Sequence, residues 1–183
     1  MMSIQEIDAE ITKQLARLKE SVNKTELLQV CEFKLCNSHK EIPWDRLRHK
    51  GIYLIEIKNS EKFDSFESWI EAFKQEWESE DYLKKFTPNT KKKRIAAHMQ
   101  NNIQDWIPIY IGKSRNVEKR IYEHIYKELN KTTFALKLMA RPHLRDQIFR
   151  IKVLEVEVEN YDAIVPKIEW QLRNRINPII GRQ

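Results

Sequence analysis

Two tripeptides are the first residues in this 183-residue chain with the makings of chemistry: Gly51-Ile52-Tyr53 and Tyr110-Ile111-Gly112. Each joins a phenol to one of only three glycines. At a usual frequency near 7% this length would hold about 13 glycines, so Gly51, Gly112 and Gly181 are each expected to mark backbone that a side chain would obstruct. Arg120 and His124 follow, four residues apart, and project from one side of a helix. A guanidinium forks onto two phosphate oxygens and stays charged at any working pH. Glu169 interrupts the apolar spacing of Val165, Leu172 and Ile176, where a carboxylate needs a compensating charge. Taken singly, each has a plainer reading: a core tyrosine, a wet helix face, and a Glu169–Arg173 pair at four spacing.

These groups need elements to position them. Gly51 to Lys58 is a β-branched and aromatic run ending in Asn59-Ser60, which predicts a mostly buried strand. Trp106 to Gly112 alternates, which puts Ile107, Ile109 and Ile111 on one face and Tyr110 on the other, with Pro108 at a strand start or sheet edge. Val117, Ile121 and Ile125 are the inner stripe of the helix bearing Arg120 and His124, and Thr132 to Ala140 reads as a second short helix. Phe149, Ile151 and Val153 alternate as a strand, while Leu154, Val156 and Val158 take the opposite phase. That predicts a bulge or a change of exposure near Val153. A last helix through Val165, Ile168, Leu172 and Ile176 is closed by Pro178.

Between the first two strands, Asp64 and Glu67 resemble a capping box for a helix carrying Phe66, Trp69, Phe73 and Trp77, acidic on its outer face. The charge then changes sign at Lys84 and Lys85, and Lys91-Lys92-Lys93-Arg94 opens a helix running toward Gln104. At the N-terminus, Ile4, Ile7, Ile11, Leu15, Leu18 and Val22 predict an amphipathic helix of about six turns. Packing on its own domain is preferred to a dimeric coiled coil. Residues 23–46 are mixed, with a break at Pro43-Trp44.

The tripeptides, then Arg120, then His124 one turn later, then Glu169 ahead of Pro178, resemble the GIY-YIG nuclease family over residues 47–59 and 106–182. The long connection 54–109 replaces the short hairpin of most relatives and resembles the enlarged connections of the restriction-endonuclease-like members. Gly181 stands where many relatives have an asparagine, a role not transferred to Asn174 or Asn177. The resemblance implies an α/β (α+β) fold with a small three-stranded mixed or antiparallel sheet flanked by helices. An N-terminal helical extension would span 1–46 and the nuclease-like domain 47–183, with a helical insertion at 60–105.

The resemblance further implies catalytic roles for Tyr53, Tyr110, Lys113, Arg120, His124 and Glu169. Tyr53 would take the proton of the attacking water, with Lys113 or His124 as the cation that makes a phenol acidic enough. Tyr110 would hydrogen-bond a phosphate oxygen or a water, Arg120 and His124 would reach one phosphate, and Glu169 would hold one Mg²⁺ or Mn²⁺. The two hydroxyls, the guanidinium and the carboxylate are expected to border one open groove. The implied function is a metal-dependent DNA endonuclease of restriction or mobile-element type. The alternatives are a non-cleaving nucleic-acid-binding module that keeps the fold, hinted at by Gly181, and a protein-interaction scaffold built on the N-terminal helix.

Charge agrees with a polyanionic partner. There are 33 Lys and Arg against 27 Asp and Glu, a formal charge of +6. Double-stranded DNA is the expected partner, with Lys91, Lys92, Lys93, Arg94 and Arg115 as phosphate contacts. A homodimer would supply two cuts on a duplex. No apolar run approaches the roughly 18 residues of a membrane span, and the first residues lack a signal peptide's build, so a cytoplasmic protein without a membrane partner is expected. Cys31 and Cys36 with His39 and His49 form no finger pattern and read as thiols without zinc.

Overall fold

The computed structural model describes residues 2–60, 63–82, 86–100 and 102–181; Lys84, Lys85 and Arg182 lie outside the described residues. Chain order runs α1 (Ile4–Lys24), β1 (Leu28–Lys34), α2 (Ser38–Glu41), β2 (Gly51–Lys58), α3 (Phe66–Trp77), β3 (Asn89–Thr90) and α4 (Lys92–Ala96). It continues with β4 (Trp106–Ser114), α5 (Val117–Tyr126), β5 (Ile148–Glu155), α6 (Tyr161–Ile176) and β6 (Ile180–Gly181). The fold is mixed α/β: a four-stranded antiparallel sheet in the order β1-β5-β2-β4, and a two-stranded ladder of β3 with β6.

The main sheet is covered on both faces. Tyr53, Ile55 and Ile57 of β2 pack with Phe149, Ile151 and Val153 of β5 against Trp69, Ile70 and Trp77 of α3 and Val117, Ile121 and Ile125 of α5. On the opposite face, Ile52, Leu54, Ile111 and Val156 pack against Val165, Ile168 and Leu172 of α6 and Val22 at the end of α1. This two-sided burial is why β2 is a continuous apolar run rather than an alternating one. The inserted segment is therefore part of the main core through α3.

Several expectations are corrected. The sheet has a fourth strand, β1, inside the stretch expected to be helical; among its residues only Phe33 is fully buried, so it carries little alternation to read. In β4, Ile55 faces Tyr110 while Glu56 faces Pro108, so Ile109 is bulged out of register. Ile107, Ile109 and Tyr110 consequently share one core, and Ile111 enters the other. The change expected near Val153 is met: β5 keeps its register against β2, its pairing with β1 slips by one residue beside Val153, and the phase change after it comes from α6 covering the second face there. Residues 132–140 form no α-helix: Lys137 takes a left-handed conformation and only a short 3₁₀ turn, Leu138–Ala140, follows. The α3 cap is Ser65, whose hydroxyl accepts from the Ser68 amide, in place of Asp64. The basic run starts a helix of one turn, ending at Ala96 well short of Gln104.

Two glycines have clear causes. A side chain at Gly51 would lie 2.1 Å from the Leu154 carbonyl oxygen on β5, and one at Gly112 would lie 2.4 Å from the Tyr53 hydroxyl. Gly181 departs from the expectation, since a side chain there would meet only Lys91 at 3.7 Å, ordinary contact. Pro108 does lie on an edge strand, where its carbonyl accepts from the Ile179 amide at 2.9 Å.

Candidate active site at the β4 edge

The register of β2 on β4 sets Tyr53 directly across from Gly112. Because Gly112 has no side chain, the Tyr53 ring lies over that backbone toward the free edge of the sheet. The bulge at Ile109 turns Tyr110 to the same face, and the two rings stack with centroids 6.3 Å apart. Helix α5, capped by the Asn116 side chain at the Lys119 amide (2.8 Å), then presents Arg120 and His124 to the phenols.

His124 is fully buried and both of its ring nitrogens are used. Nδ1 accepts from the Leu136 amide at 3.1 Å, and Nε2 lies 2.9 Å from the Tyr53 hydroxyl oxygen. A backbone N–H can only donate, so Nδ1 is unprotonated and Nε2–H donates to Tyr53. Burial, and then the charge of Arg120, push the imidazole pKa well below its ordinary value, in keeping with a neutral ring. His124 therefore neither reaches a phosphate nor supplies the cation expected beside Tyr53; it is a positioning residue. The left-handed turn at Lys137 brings the Leu136 amide to it, a partner with no sequence signal.

Arg120 is largely covered and held by the Glu123 carboxylate at 2.7 Å and the Phe134 carbonyl. Burial acts to lower its pKa, but Tyr53, Glu123 and Tyr110 together outweigh this and keep it charged. Tyr53 is 1% exposed and Tyr110 8%. Burial, reinforced by Tyr110 and only partly offset by Arg120, raises the Tyr53 pKa well above that of a free phenol. In this arrangement the Tyr53 hydroxyl keeps its own proton while accepting that of His124 Nε2.

Lys113 and Glu169 meet on the other face of the same strand. Glu169, 7% exposed, receives the Lys113 ammonium on Oε2 at 2.9 Å and the Arg173 guanidinium on Oε1. The compensating charge demanded by its apolar stripe is thus double, and the Glu169–Arg173 pair at four spacing does form. Across the edge strand, Glu169 still acts on Tyr53, adding to the upward shift of the phenol. The clefts around Phe73 and Glu76, around Leu54 and Asn177, and around Trp44 and Tyr122 are lined by none of the six side chains.

The donor set fits one hard divalent ion at most. Among the described residues no three His, Cys, Asp or Glu side chains converge. A single carboxylate suits Mg²⁺, which keeps most of its water and takes further oxygens from a phosphate. Glu169 would need to release Lys113, whose side chain is 37% exposed on a flexible stem, while Arg173 keeps the carboxylate aimed.

The proposed phosphate contacts divide. Arg94 is a structural anchor, donating to the Arg173 carbonyl and to the side chains of Asn177 and Asn174 at 2.8–3.0 Å. Both asparagines are thereby occupied. Lys91 is partly covered as the α4 cap, Lys92 and Lys93 are exposed, and Arg115 pairs with Asp162 at 2.9 Å over the Tyr161 ring. The basic run thus docks on the C-terminal half of the helix that carries Glu169, a proximity that chain order conceals. Comparison with protein-family models, with curated proteins and with solved structures returns no match.

Proposed function

We propose that this chain is a divalent-metal-dependent DNA endonuclease of GIY-YIG type, hydrolysing phosphodiesters at the β4 edge, of restriction or mobile-element character. One observation carries this reading. Four elements, β2, β4, α5 and α6, each deliver a polar or charged group to the Gly112–Lys113 segment, although apolar packing would serve the fold at those buried positions. Double-stranded DNA is the substrate that the basic balance suits.

Lys113, whose side chain is 37% exposed, meets a backbone phosphate first, and the more covered Arg120 grips it as it settles. Arg120, already oriented by Glu123 and Phe134, loses little freedom on gripping two oxygens. Tyr53, fixed by His124, offers its hydroxyl proton to a phosphate oxygen; it accepts a proton from water only after added positive charge brings its pKa down. A metal ion on Glu169 supplies charge to the departing oxygen when bound.

A second reading, a module that binds nucleic acid without cutting, is favoured by the sealed Tyr53 and by the doubly paired Glu169. Supercoiled plasmid incubated with protein and Mg²⁺ separates the two. The nuclease yields nicked or linear DNA, stops on chelation, and is lost in Tyr53→Phe and Glu169→Ala variants that keep wild-type circular dichroism. Salt-sensitive binding with no product from wild type establishes the second reading instead.

A further inference from the structure

We propose that α1 is a dimerisation arm, pairing antiparallel with α1 of a second copy of this chain, independently of what the β4 edge does. The helix extends beyond its domain: residues 2–17 are all exposed, and only Leu18 and Val22 join the core beneath α6. Its far end is firmly held, with Arg175 donating to the carbonyls of Val22, Asn23 and Thr25 at 2.6–3.0 Å. The near end is a well-formed start, with Ser3 and Glu6 making a reciprocal capping box.

Ile4, Ile7, Ile11 and Leu15 form an unbroken apolar stripe over those free turns, from 82% exposed at Ile4 to 41% at Leu15. A helix of this length standing alone is marginal in water, and most helical stability comes from packing an apolar face. The sequence expectation that the stripe covers its own domain is met only at the last turns.

The charges say what covers the rest. Beside the stripe, acidic Asp8 and Glu10 flank its first turns and basic Arg17 and Lys19 flank its later ones, while Glu20 pairs with Lys24 beyond the free turns. A parallel pair would set like charges together. An antiparallel pair with its two-fold axis at Ile11 sets Ile7 against Leu15 of the second copy, with Asp8 on the side of Lys19 and Glu10 on the side of Arg17 of that copy. The surface is self-complementary, as a two-fold interface requires.

The test is light scattering of the full chain across a concentration series. The expected mass rises from 22.1 kDa to twice that value. Ile7→Glu with Ile11→Glu holds it at the single-chain mass at every concentration, with the near-ultraviolet circular dichroism of its buried Trp and Tyr residues retained. Asp8→Lys with Glu10→Lys weakens the dimer by about tenfold or more, and adding Arg17→Glu with Lys19→Glu to that chain restores it. A single-chain mass at every concentration overturns the proposal. So does a dimer indifferent to Ile7 and Ile11, or a monomer that uses those residues to bind lipid vesicles.

Discussion

The Tyr53 hydroxyl accepts the Nε2 proton of His124 at 2.9 Å because the other nitrogen of that ring is bound by the Leu136 amide. One backbone donor on a loop thus sets the tautomer of a buried imidazole, and the imidazole sets the direction of a phenol. What remains free on Tyr53 is its own proton.

Neutral burial of His124 makes stability depend on pH. Its folded pKa lies below the unfolded value near 6.5, so below that pH the unfolded chain binds a proton that the folded chain refuses. Stability should be unaffected by this group at neutral and alkaline pH. It should decline as pH falls from about 6.5 toward the folded pKa, by at most about 1.4 kcal/mol per pH unit. Urea titrations at several pH values should show a shallower acid decline for His124→Gln than for wild type.

Gly112→Ala should disturb the phenol directly, since the added carbon would sit 2.4 Å from the Tyr53 hydroxyl and 2.7 Å from the ring carbon bearing it. A cost of about 1–3 kcal/mol is expected. Adding Tyr53→Phe should recover part of it, because one of the two clashing atoms is gone. Gly181→Ala should stay within about 0.5 kcal/mol of wild type. Thermal midpoints of the four proteins decide this.

The raised pKa of Tyr53 predicts the form of the pH–rate profile. If Tyr53 must lose its proton for cleavage, the rate should climb through the assay range up to about pH 9 rather than level near neutrality. A plateau at neutral pH would assign Tyr53 to hydrogen bonding alone. Single-turnover plasmid cleavage reads the difference.

Arg120→Lys keeps the charge and loses the fork. The ammonium cannot hold Glu123, the Phe134 carbonyl and a phosphate together, so cleavage should fall by about 10²–10³. Helical circular dichroism should be retained, and DNA binding, measured separately by anisotropy, should drop far less than turnover.

DNA binding should separate the basic residues. Lys92→Ala and Lys93→Ala, on exposed side chains, should each lower the slope of log affinity against log salt by up to about 1. Arg94→Ala should act by a different route. It removes three hydrogen bonds that tie α4 to α6, and its thermal midpoint should fall along with binding.

The boundaries of β2 and the end of α6 could be read from the chain, because each signal is local: a β-branched apolar run in one, a proline in the other. The grouping of Arg120 with His124 was equally legible, since helical spacing alone puts them on one side. The scarcity of glycine pointed correctly to Gly51 and Gly112 and misled at Gly181, where the backbone is open. Position on the chain could not reveal the bulge at Ile109, which turns Tyr110 toward Tyr53, because a one-residue slip in register leaves no compositional trace. Nor could it reveal that Leu136 would engage His124, that Glu169 would be claimed by two cations, or that the first turns of α1 would find no surface of their own to cover. Those outcomes depend on which distant segments pack together. Local residue preferences select helices and strands, whereas burial, tautomer and charge pairing are settled by neighbours that only folding supplies.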